Sequence, residues 1–386
     1  MAFLPFYIPK QKRLKVVIAG GGYAGMAALT VLLRYAPDTD ITLIDPHAQH
    51  LKITHLHESF RYPLSDLQVS FADLAKRFDF RYIQAKLPME KDALQQKQSD
   101  KYLVVNEEVV HFDYLLITSG CGNRDGGSEE GVLSLQDFMT TSGSELLSGL
   151  LNKQNNASEQ TVSVVGGGAT GIQFLFEIRQ FLHRQRINAK VRLIHSGEQL
   201  LGQFPLGFHT YVESRLRDLD IEFYPNTYFQ SQQDNKIILQ NKQTKEKYEL
   251  PSDLSLLFLG KKQENLFEAN CFGQVVIDYK PLANIFVAGD CSHYNSIGSN
   301  ALSAQSAVRK GKLVARNILR HSSILHLLEP YLHQELGYVV SLGHADAVGW
   351  LASQGNVISG MPALAIKELV ESQFDLLLMG IDTYVV

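Results

Sequence analysis

Two glycine-rich segments of the same spacing, far apart in the chain, most constrain its fold. Both follow the pattern G-x-G-x-x-G, at Gly20, Gly22 and Gly25 and again at Gly166, Gly168 and Gly171. Each follows a short run of valine and isoleucine, and each precedes an apolar, helix-like stretch. In that context the pattern predicts a strand, a tight turn and a helix whose free N–H groups face a phosphate. The chain therefore predicts two nucleotide-binding units.

The size and composition are typical of a globular protein with more than one domain. The chain has 386 residues and a formal charge of −4. That length accommodates two or three domains, and the negative charge argues against nucleic acid as a partner. No apolar run is long enough to span a bilayer. The three cysteines form no C-x-x-C pair, which indicates a reducing compartment and a cytoplasmic location.

Strands and helices alternate around both glycine-rich segments. The pattern predicts a helix from Ala24 to Leu33, a strand from Ile41 to Ile44, and a buried strand from Phe112 to Thr118. This alternation indicates an α/β fold with parallel sheets and helices on both faces. A polar zone within residues 122–160 predicts a domain boundary, and the acidic tail beyond His321 predicts a separate module.

An acid follows the first segment at the distance that ribose binding requires. Asp45 ends the strand ITLID, twenty residues after Gly25. In such a unit Gly20 permits the tight turn, Gly22 lets the backbone approach a pyrophosphate, and Gly25 allows close packing of helix on strand. Together with Asp45, the three glycines predict a bound adenine dinucleotide.

A third segment, NIFVAGD at 284–290, completes a resemblance to a known family. With the first glycine-rich segment it resembles the pyridine-nucleotide–disulfide oxidoreductase superfamily over about residues 14–320. The resemblance implies an α/β fold with two Rossmann-like domains, FAD in the first and NAD(P)H as the exchangeable donor in the second. It implies an FAD-binding domain at 12–122 and 271–322, an NAD(P)H-binding-like domain at 156–265, and a C-terminal interface or membrane-proximal module at 323–386.

The resemblance also assigns cofactor contacts. Those expected to bind FAD are Gly20, Gly22, Tyr23, Ala24, Gly25, Asp45, Lys52, Leu87, Thr118, Gly120, Gly289, Asp290 and Leu302. Those expected to bind NAD(P)H are Gly166, Gly168, Ala169, Thr170 and Gly171. Asp290 is expected to bind the ribitol, and a helix from Ala301 to point its positive N-terminus at the flavin. Lys52 fits either the flavin region or a solvated surface.

Within the superfamily the chain most resembles type II NADH dehydrogenases, which pass electrons from NADH to quinone. AQSAVRKG at 304–311 is similar to their A-Q-x-A-x-x-Q-G motif, and residues 360–374 are similar to their C-terminal helix near the membrane. The resemblance implies that Gln305 shapes the site of a quinone or other small-molecule acceptor. The apolar residues of the tail fit either a homodimer contact or a peripheral contact with the cytoplasmic face of the membrane.

Three positions depart from that family. Lys310 replaces the second glutamine of the motif, Gln173 stands where glutamate is usual, and His195 ends the strand VRLIH where an NADH site places an acid. The loss of that acid removes the usual discriminator of the two nicotinamide cofactors. Two alternatives therefore stay open. One is a flavoprotein with a sulfide-type donor and a degenerate nicotinamide site, and the other is a flavin-bound interaction or regulatory protein with little turnover.

The remaining reactive residues predict no second chemistry. His47, His50, His55 and His57 lack a suitable set of metal ligands, so we expect no metal site and assign them to the loop over the flavin. Without a cysteine pair, electrons are expected to pass directly from flavin to acceptor. Lys310, with Arg309 and Lys312, fits either attraction of an anionic acceptor or a solvated face, and we expect the solvated face.

Overall fold

A sheet of mainly parallel strands forms around the first glycine-rich segment, and a parallel sheet forms around the second. The computed structural model describes residues 13–124, 129–151, 159–262, 266–323 and 327–384. Predicted domain bounds at 12, 156, 265 and 386 therefore lie outside the described residues. The helices are α1 (Tyr23–Tyr35), α2 (Phe71–Phe78), α3 (Leu94–Asp100), α4 (Leu135–Thr140), α5 (Gly143–Leu151), α6 (Ala169–Arg184), α7 (Leu206–Asp218), α8 (Ala304–Ser322) and α9 (Met361–Leu378).

The first sheet contains the first glycine-rich turn. Its strands in the described ranges are β1 (Lys15–Ala19), β2 (Asp40–Asp45), β5 (Arg81–Gln84), β8 (Tyr114–Ile117), β17 (Phe267–Ala269), β18 (Gln274–Ile277), β19 (Lys280–Val287) and β20 (Ser292–Tyr294). They lie in the order β20-β17-β18-β19-β8-β1-β2-β5. The chain thus leaves this sheet after β8 and returns to pair β19 with β8 in parallel.

The second sheet contains the second turn. Its strands, again within the residues described, are β9 (Val132–Ser134), β10 (Gln160–Val165), β11 (Ala189–Ile194), β12 (Glu222–Tyr224) and β16 (Leu254–Leu257). They run in the order β12-β11-β10-β16-β9, and the pairings are parallel. The two sheets confirm the predicted α/β class with two Rossmann-like units.

Smaller antiparallel elements complete the chain. They are β3 (Gln49–Leu51) with β4 (Gln68–Ser70), β6 (Tyr102–Val105) with β7 (Glu108–His111), β13 (Thr227–Gln233) with β14 (Lys236–Asn241) and β15 (Lys247–Pro251), and β21 (Gly337–Ser341) with β22 (Ala347–Leu351) and β23 (Ser353–Ser359). Short 3₁₀ helices lie at Ile53–Phe60, Leu64–Leu67 and Lys91–Ala93.

Apolar runs explain why the central strands form. All four residues of β8 and all six of β10 are buried, as expected of parallel strands covered on both faces. Helix α8 packs directly on α1, and Gly311 makes this possible, because a Cβ at position 311 would lie 2.2 Å from the Ala24 carbonyl oxygen. The predicted start of this helix at Ala301 is wrong, because Ser303 caps it and its first turn begins at Ala304.

The C-terminal segment shares the cores of the two units. Phe374, Leu377 and Leu378 of α9 join the core of the first sheet, whereas Val340 and Trp350 join that of the second. Much of the apolar surface that the sequence offered for a dimer or a membrane is therefore used inside the chain. Among the residues described, no helix combines the length and apolar character that crossing a bilayer requires.

The α1–α8 contact predicts a stability effect. Gly311→Ala places a methyl group against the backbone of α1, which should destabilise the fold by about 1–3 kcal/mol and lower the melting temperature. The matched control is Gly149→Ala on α5, where the added Cβ has no neighbour within 4 Å. It should be neutral or stabilise by up to about 1 kcal/mol. Equal melting temperatures for the two variants would contradict the proposed packing.

Candidate cofactor sites

The first turn has the geometry of a phosphate cradle. Gly20 has φ +116°, and a Cβ there would lie 2.4 Å from the Thr118 carbonyl oxygen. A Cβ on Gly25 would lie 2.0 Å from the Gly20 carbonyl oxygen, whereas one on Gly22 would have no neighbour within 4 Å. Gly20 and Gly25 therefore close the turn, and the open space lies over Gly22. Helix α1 begins there without a side-chain cap and without an acid in its first turn, so its amides are available to an anion.

Asp45 holds this turn from the end of β2. Its Oδ2 accepts the N–H of Gly21 at 2.7 Å, and its Oδ1 accepts the N–H of His47 at 2.8 Å. An ionised carboxylate has further acceptor positions, so these bonds leave capacity for a ribose hydroxyl. The predicted acid therefore lies beside the predicted turn.

A buried histidine supports the other side of the turn. His50 is 2 % exposed, and its Nδ1 lies 2.9 Å from the Gly21 carbonyl oxygen. Burial lowers the pKa of His50 to about 4, so the ring is neutral and Nδ1 donates this bond. Tyr23 packs against His50 and against Phe374 of α9, with ring centroids 5.2 and 4.3 Å away. The position of His50 in this loop could be predicted from the sequence, but its bond to the turn could not.

The returning segment meets the first turn at the carboxyl end of β1. Thr118 donates from Oγ1 to the Gly20 carbonyl oxygen at 2.7 Å. Gly289 has φ +81°, and a Cβ there would lie 3.0 Å from Cβ of Ala24. Asp290 follows it and forms an ion pair with Lys261. These contacts bring three distant segments together, and their residues fit the adenosine diphosphate and ribitol parts of FAD.

The other FAD residues lie around these segments. Gly120 has φ +70° and open space at its Cβ position, while Leu87 and Leu302 are half-buried. Gln305 is half-buried in the first turn of α8. Lys52 forms an ion pair with Asp375 of α9 at 2.6 Å, so its ammonium group contacts the C-terminal helix. The FAD contacts of these side chains remain predictions.

The second turn repeats the first closely. Gly166 has φ +121°, and a Cβ there would lie 2.2 Å from the Phe258 carbonyl oxygen. A Cβ on Gly171 would lie 1.9 Å from the Gly166 carbonyl oxygen, and one on Gly168 would have no neighbour within 4 Å. Ala169 and Thr170 are the first two residues of α6, which has neither a side-chain cap nor an acid in its first turn. The residues of this turn thus fit a second dinucleotide.

At the ribose position the two units differ. His195 follows β11, and its Nδ1 accepts the Gly167 N–H at 3.1 Å, as Asp45 accepts that of Gly21. The imidazole therefore takes the structural place of the missing acid. Burial lowers the pKa of His195; a hydrogen bond to the Gln199 backbone opposes this shift, and the charge of nearby Lys242 adds to it.

A buried ionic cluster joins the loop after β2 to α9. Lys367 donates to Glu371 at 2.6 Å and to Glu58 at 3.2 Å, and Glu58 also contacts His55 at 3.3 Å. The two neighbouring carboxylates hold the pKa of Lys367 above its usual value despite burial. The local signals for this cluster are the four-residue spacing of Lys367 and Glu371 and the three-residue spacing of His55 and Glu58.

A buried polar chain extends from this cluster to the second unit. Ser341 lies 2.9 Å from Nε2 of His57 and accepts from Gln173 at 3.1 Å. Gln173 is the residue that replaces the usual glutamate after the second turn. Its amide therefore belongs to the contact between α6 and the C-terminal segment.

The expectation of a solvated basic face at Lys310 is wrong. Lys310 is 2 % exposed, and its Nζ donates to Oδ1 of Asn300 at 2.9 Å and lies over the ring of Tyr294. Burial lowers the pKa of Lys310 to about 8. Lys312 is also buried and is paired with Asp382 at 2.7 Å. Helix α8 packs on both faces, which its charged sequence does not reveal.

The cysteines are free thiols. Cys291 is buried, and burial raises its pKa to about 11. Burial also raises the pKa of Cys121. Such thiols are poor nucleophiles at neutral pH.

Two dinucleotide turns, each after a parallel strand, and a segment that returns to the first sheet define a class of two-cofactor oxidoreductases. Comparison with known proteins names the family. Residues 14–311 match the family described as pyridine nucleotide-disulphide oxidoreductase, and the chain belongs to it. Membership confirms the oxidoreductase class and the predicted cofactors, FAD and NAD(P)H.

Individual relatives cover nearly the whole chain. The type II NADH:quinone oxidoreductase of Staphylococcus aureus strain NCTC 8325 is 25 % identical over 397 aligned positions, which cover 94 % of this chain and 95 % of that protein. NDH2 from Plasmodium falciparum, solved in complex with NADH, has a TM-score of 0.78 at 16 % identity and 94 % coverage of each chain. The sulfide:quinone oxidoreductase from Aquifex aeolicus has a TM-score of 0.77 at 18 % identity, covering 95 % of this chain and 92 % of that one. The last two comparisons show similarity of fold alone.

The two turns predict two separate losses, one of bound flavin and one of its reduction by NAD(P)H. Gly25→Ala should distort the first turn, so the purified protein should lack most of the visible flavin absorbance. Gly171→Ala should keep the flavin but weaken reduction by NAD(P)H at least ~10-fold at low donor concentration. Far-UV circular dichroism checks that both variants fold. Equal flavin content in both variants would contradict the assignment of the two turns.

His50 predicts a loss of stability in acid. Its pKa is about 4 in the folded protein against 6.5 in the unfolded chain. Below pH 6.5 the unfolded chain therefore binds the proton more readily, and stability falls by up to about 3 kcal/mol as the pH falls to 4. His50→Gln should reduce this dependence of the melting temperature, whereas His183→Gln at an exposed site on α6 should not. An unchanged pH profile for His50→Gln would refute this role.

Proposed function

We propose that this protein passes electrons from NAD(P)H through FAD to a quinone-type acceptor. The observation that carries the proposal is the pair of turns with equal geometry, one on each sheet. Two such cradles support one resident and one exchangeable dinucleotide. FAD, when bound, accepts a hydride from a nicotinamide and passes two electrons to an acceptor.

The chain's own residues position and polarise this chemistry. The N-terminus of α8 is capped by Ser303 and has no acid in its first turn. Its positive end favours negative charge on a reduced flavin placed beside it. The hydride step requires no side-chain acid or base, so alignment of the two rings is the main task of the fold.

The acceptor assignment is supported by the relatives and by the thiols. The Staphylococcus aureus relative, similar over nearly its whole length, is a type II NADH:quinone oxidoreductase. A relay through paired cysteines has little support, because Cys291 is deeply buried with a raised thiol pKa. Gln305 is the polar residue of the acceptor motif that lies, half-buried, in the first turn of α8.

Lys310 stands in the acceptor motif, so the contacts of its side chain matter for the acceptor site. Its ammonium group is directed at Asn300 and Ser292 in the interior. In this arrangement Lys310 supports the segment after Asp290, and Gln305 remains the polar residue for the acceptor.

Gln305→Ala tests the acceptor site. It should lower kcat/KM for a soluble ubiquinone analogue ~10-fold or more, while anaerobic reduction of the flavin by NADH keeps its wild-type rate. The control Gln96→Ala, at an exposed position on α3, should leave both rates unchanged. A wild-type enzyme whose flavin is reduced by sulfide but by neither NADH nor NADPH would contradict the proposed donor. Equal quinone kinetics for Gln305→Ala would contradict the acceptor site.

A further inference from the structure

The second turn carries a neutral ring where the first carries a carboxylate. Asp45 and His195 follow equivalent strands, and each accepts the N–H of the middle glycine of its turn, at 2.7 and 3.1 Å. An acid at this position binds the ribose 2′-hydroxyl and repels a 2′-phosphate. His195 retains the structural bond and removes the negative charge.

The protonation state of His195 follows from its contacts. Because Nδ1 accepts the Gly167 N–H, the ring proton is on Nε2, which lies near Gly197 and hydrogen-bonds the Gln199 backbone. Burial keeps the ring neutral at physiological pH. The ring therefore offers no acceptor to a ribose hydroxyl in the way that a carboxylate would.

A cation lies beside this turn. The Asn226 N–H donates to the Gly197 carbonyl oxygen at 3.0 Å, and the Lys242 N–H donates to the Asn226 carbonyl oxygen at 2.7 Å. These backbone bonds fix the end of β14 against the turn after β11. Lys242 is exposed, and its charge is close enough to lower the pKa of His195. Glu198, the acid of the same turn, is also exposed.

From this arrangement we propose that the second site binds a 2′-phosphorylated adenine dinucleotide, NADPH, at least as well as NADH. The 2′-phosphate is received between the His195–Gly197 turn and the ammonium group of Lys242. A dianionic phosphate gains from the cation and meets no carboxylate at the ribose position. The proposal rests on the proposed function in taking a nicotinamide as the donor.

A binding measurement tests the subsite independently of turnover. Calorimetric titration of the FAD-loaded protein with 2′,5′-ADP and with 5′-AMP, at low salt, compares the same nucleoside with and without the 2′-phosphate. Wild-type protein should bind 2′,5′-ADP as tightly as 5′-AMP or more tightly. A preference for 5′-AMP of more than ~10-fold would overturn the proposal.

Four variants separate charge from structure. His195→Asp should weaken 2′,5′-ADP at least ~10-fold relative to 5′-AMP, and the new carboxylate can accept the Gly167 N–H as Asp45 accepts that of Gly21. His195→Asn should keep the wild-type ratio, because it adds no charge. Lys242→Ala should weaken 2′,5′-ADP alone, whereas Lys247→Ala, on an exposed lysine of the same hairpin, should change neither ligand. An unchanged ratio in His195→Asp would overturn the proposal.

Flavin reduction separates this proposal from the proposed function. Similar kcat/KM values for NADPH and NADH, with a shift of at least ~10-fold toward NADH in His195→Asp, would support both. Rapid reduction by NADH with none by NADPH would overturn the 2′-phosphate subsite and leave the proposed function intact. If neither nucleotide reduces the flavin, the proposed function fails, and the 2′,5′-ADP ratio still decides whether the subsite exists.

Discussion

The structure depends on how closely the first turn of a helix approaches the strand before it. In both units a glycine in that helix lies so near a backbone carbonyl that any Cβ would come within about 2 Å of its oxygen. This contact sets the direction of the helix and leaves its first amides uncapped. A phosphate can then be held by backbone dipoles without a cationic side chain. The chain builds this arrangement twice, and the proposed electron transfer follows from having two of them.

The rest of the chain links these two turns. The return of β19 beside β8 places Asp290 and the start of α8 next to the first turn, and Gly311 lets α8 lie on α1. The ionic cluster around Lys367 then ties α9 to the loop after β2. Replacing one partner of such a buried ion pair leaves the charge of the other uncompensated. These contacts should therefore fix one arrangement of the two units.

Local sequence was sufficient for the turns but not for the contacts between distant segments. Gly20, Gly25 and Asp45 could be predicted because their spacing records a single strand–turn–helix–strand unit. The burial of Lys310 and Lys312 could not, because it depends on Tyr294, Asn300 and Asp382 lying around a helix whose own sequence is charged. The sharing of both cores by the C-terminal segment is likewise a property of packing. His195 is an intermediate case: its position after β11 could be predicted from the sequence, but its bond to Gly167 could not.

In the proposed function, one dinucleotide stays bound to the protein while another delivers electrons to it. Anaerobic titration of the purified wild-type protein with reduced nicotinamide, followed by visible absorbance, tests it most directly. The purified protein should be yellow, with one non-covalent FAD per chain that is fully bleached by about one equivalent of NADH or NADPH. A colourless protein that cannot be reconstituted with FAD, or a flavin that neither nucleotide bleaches, would contradict it.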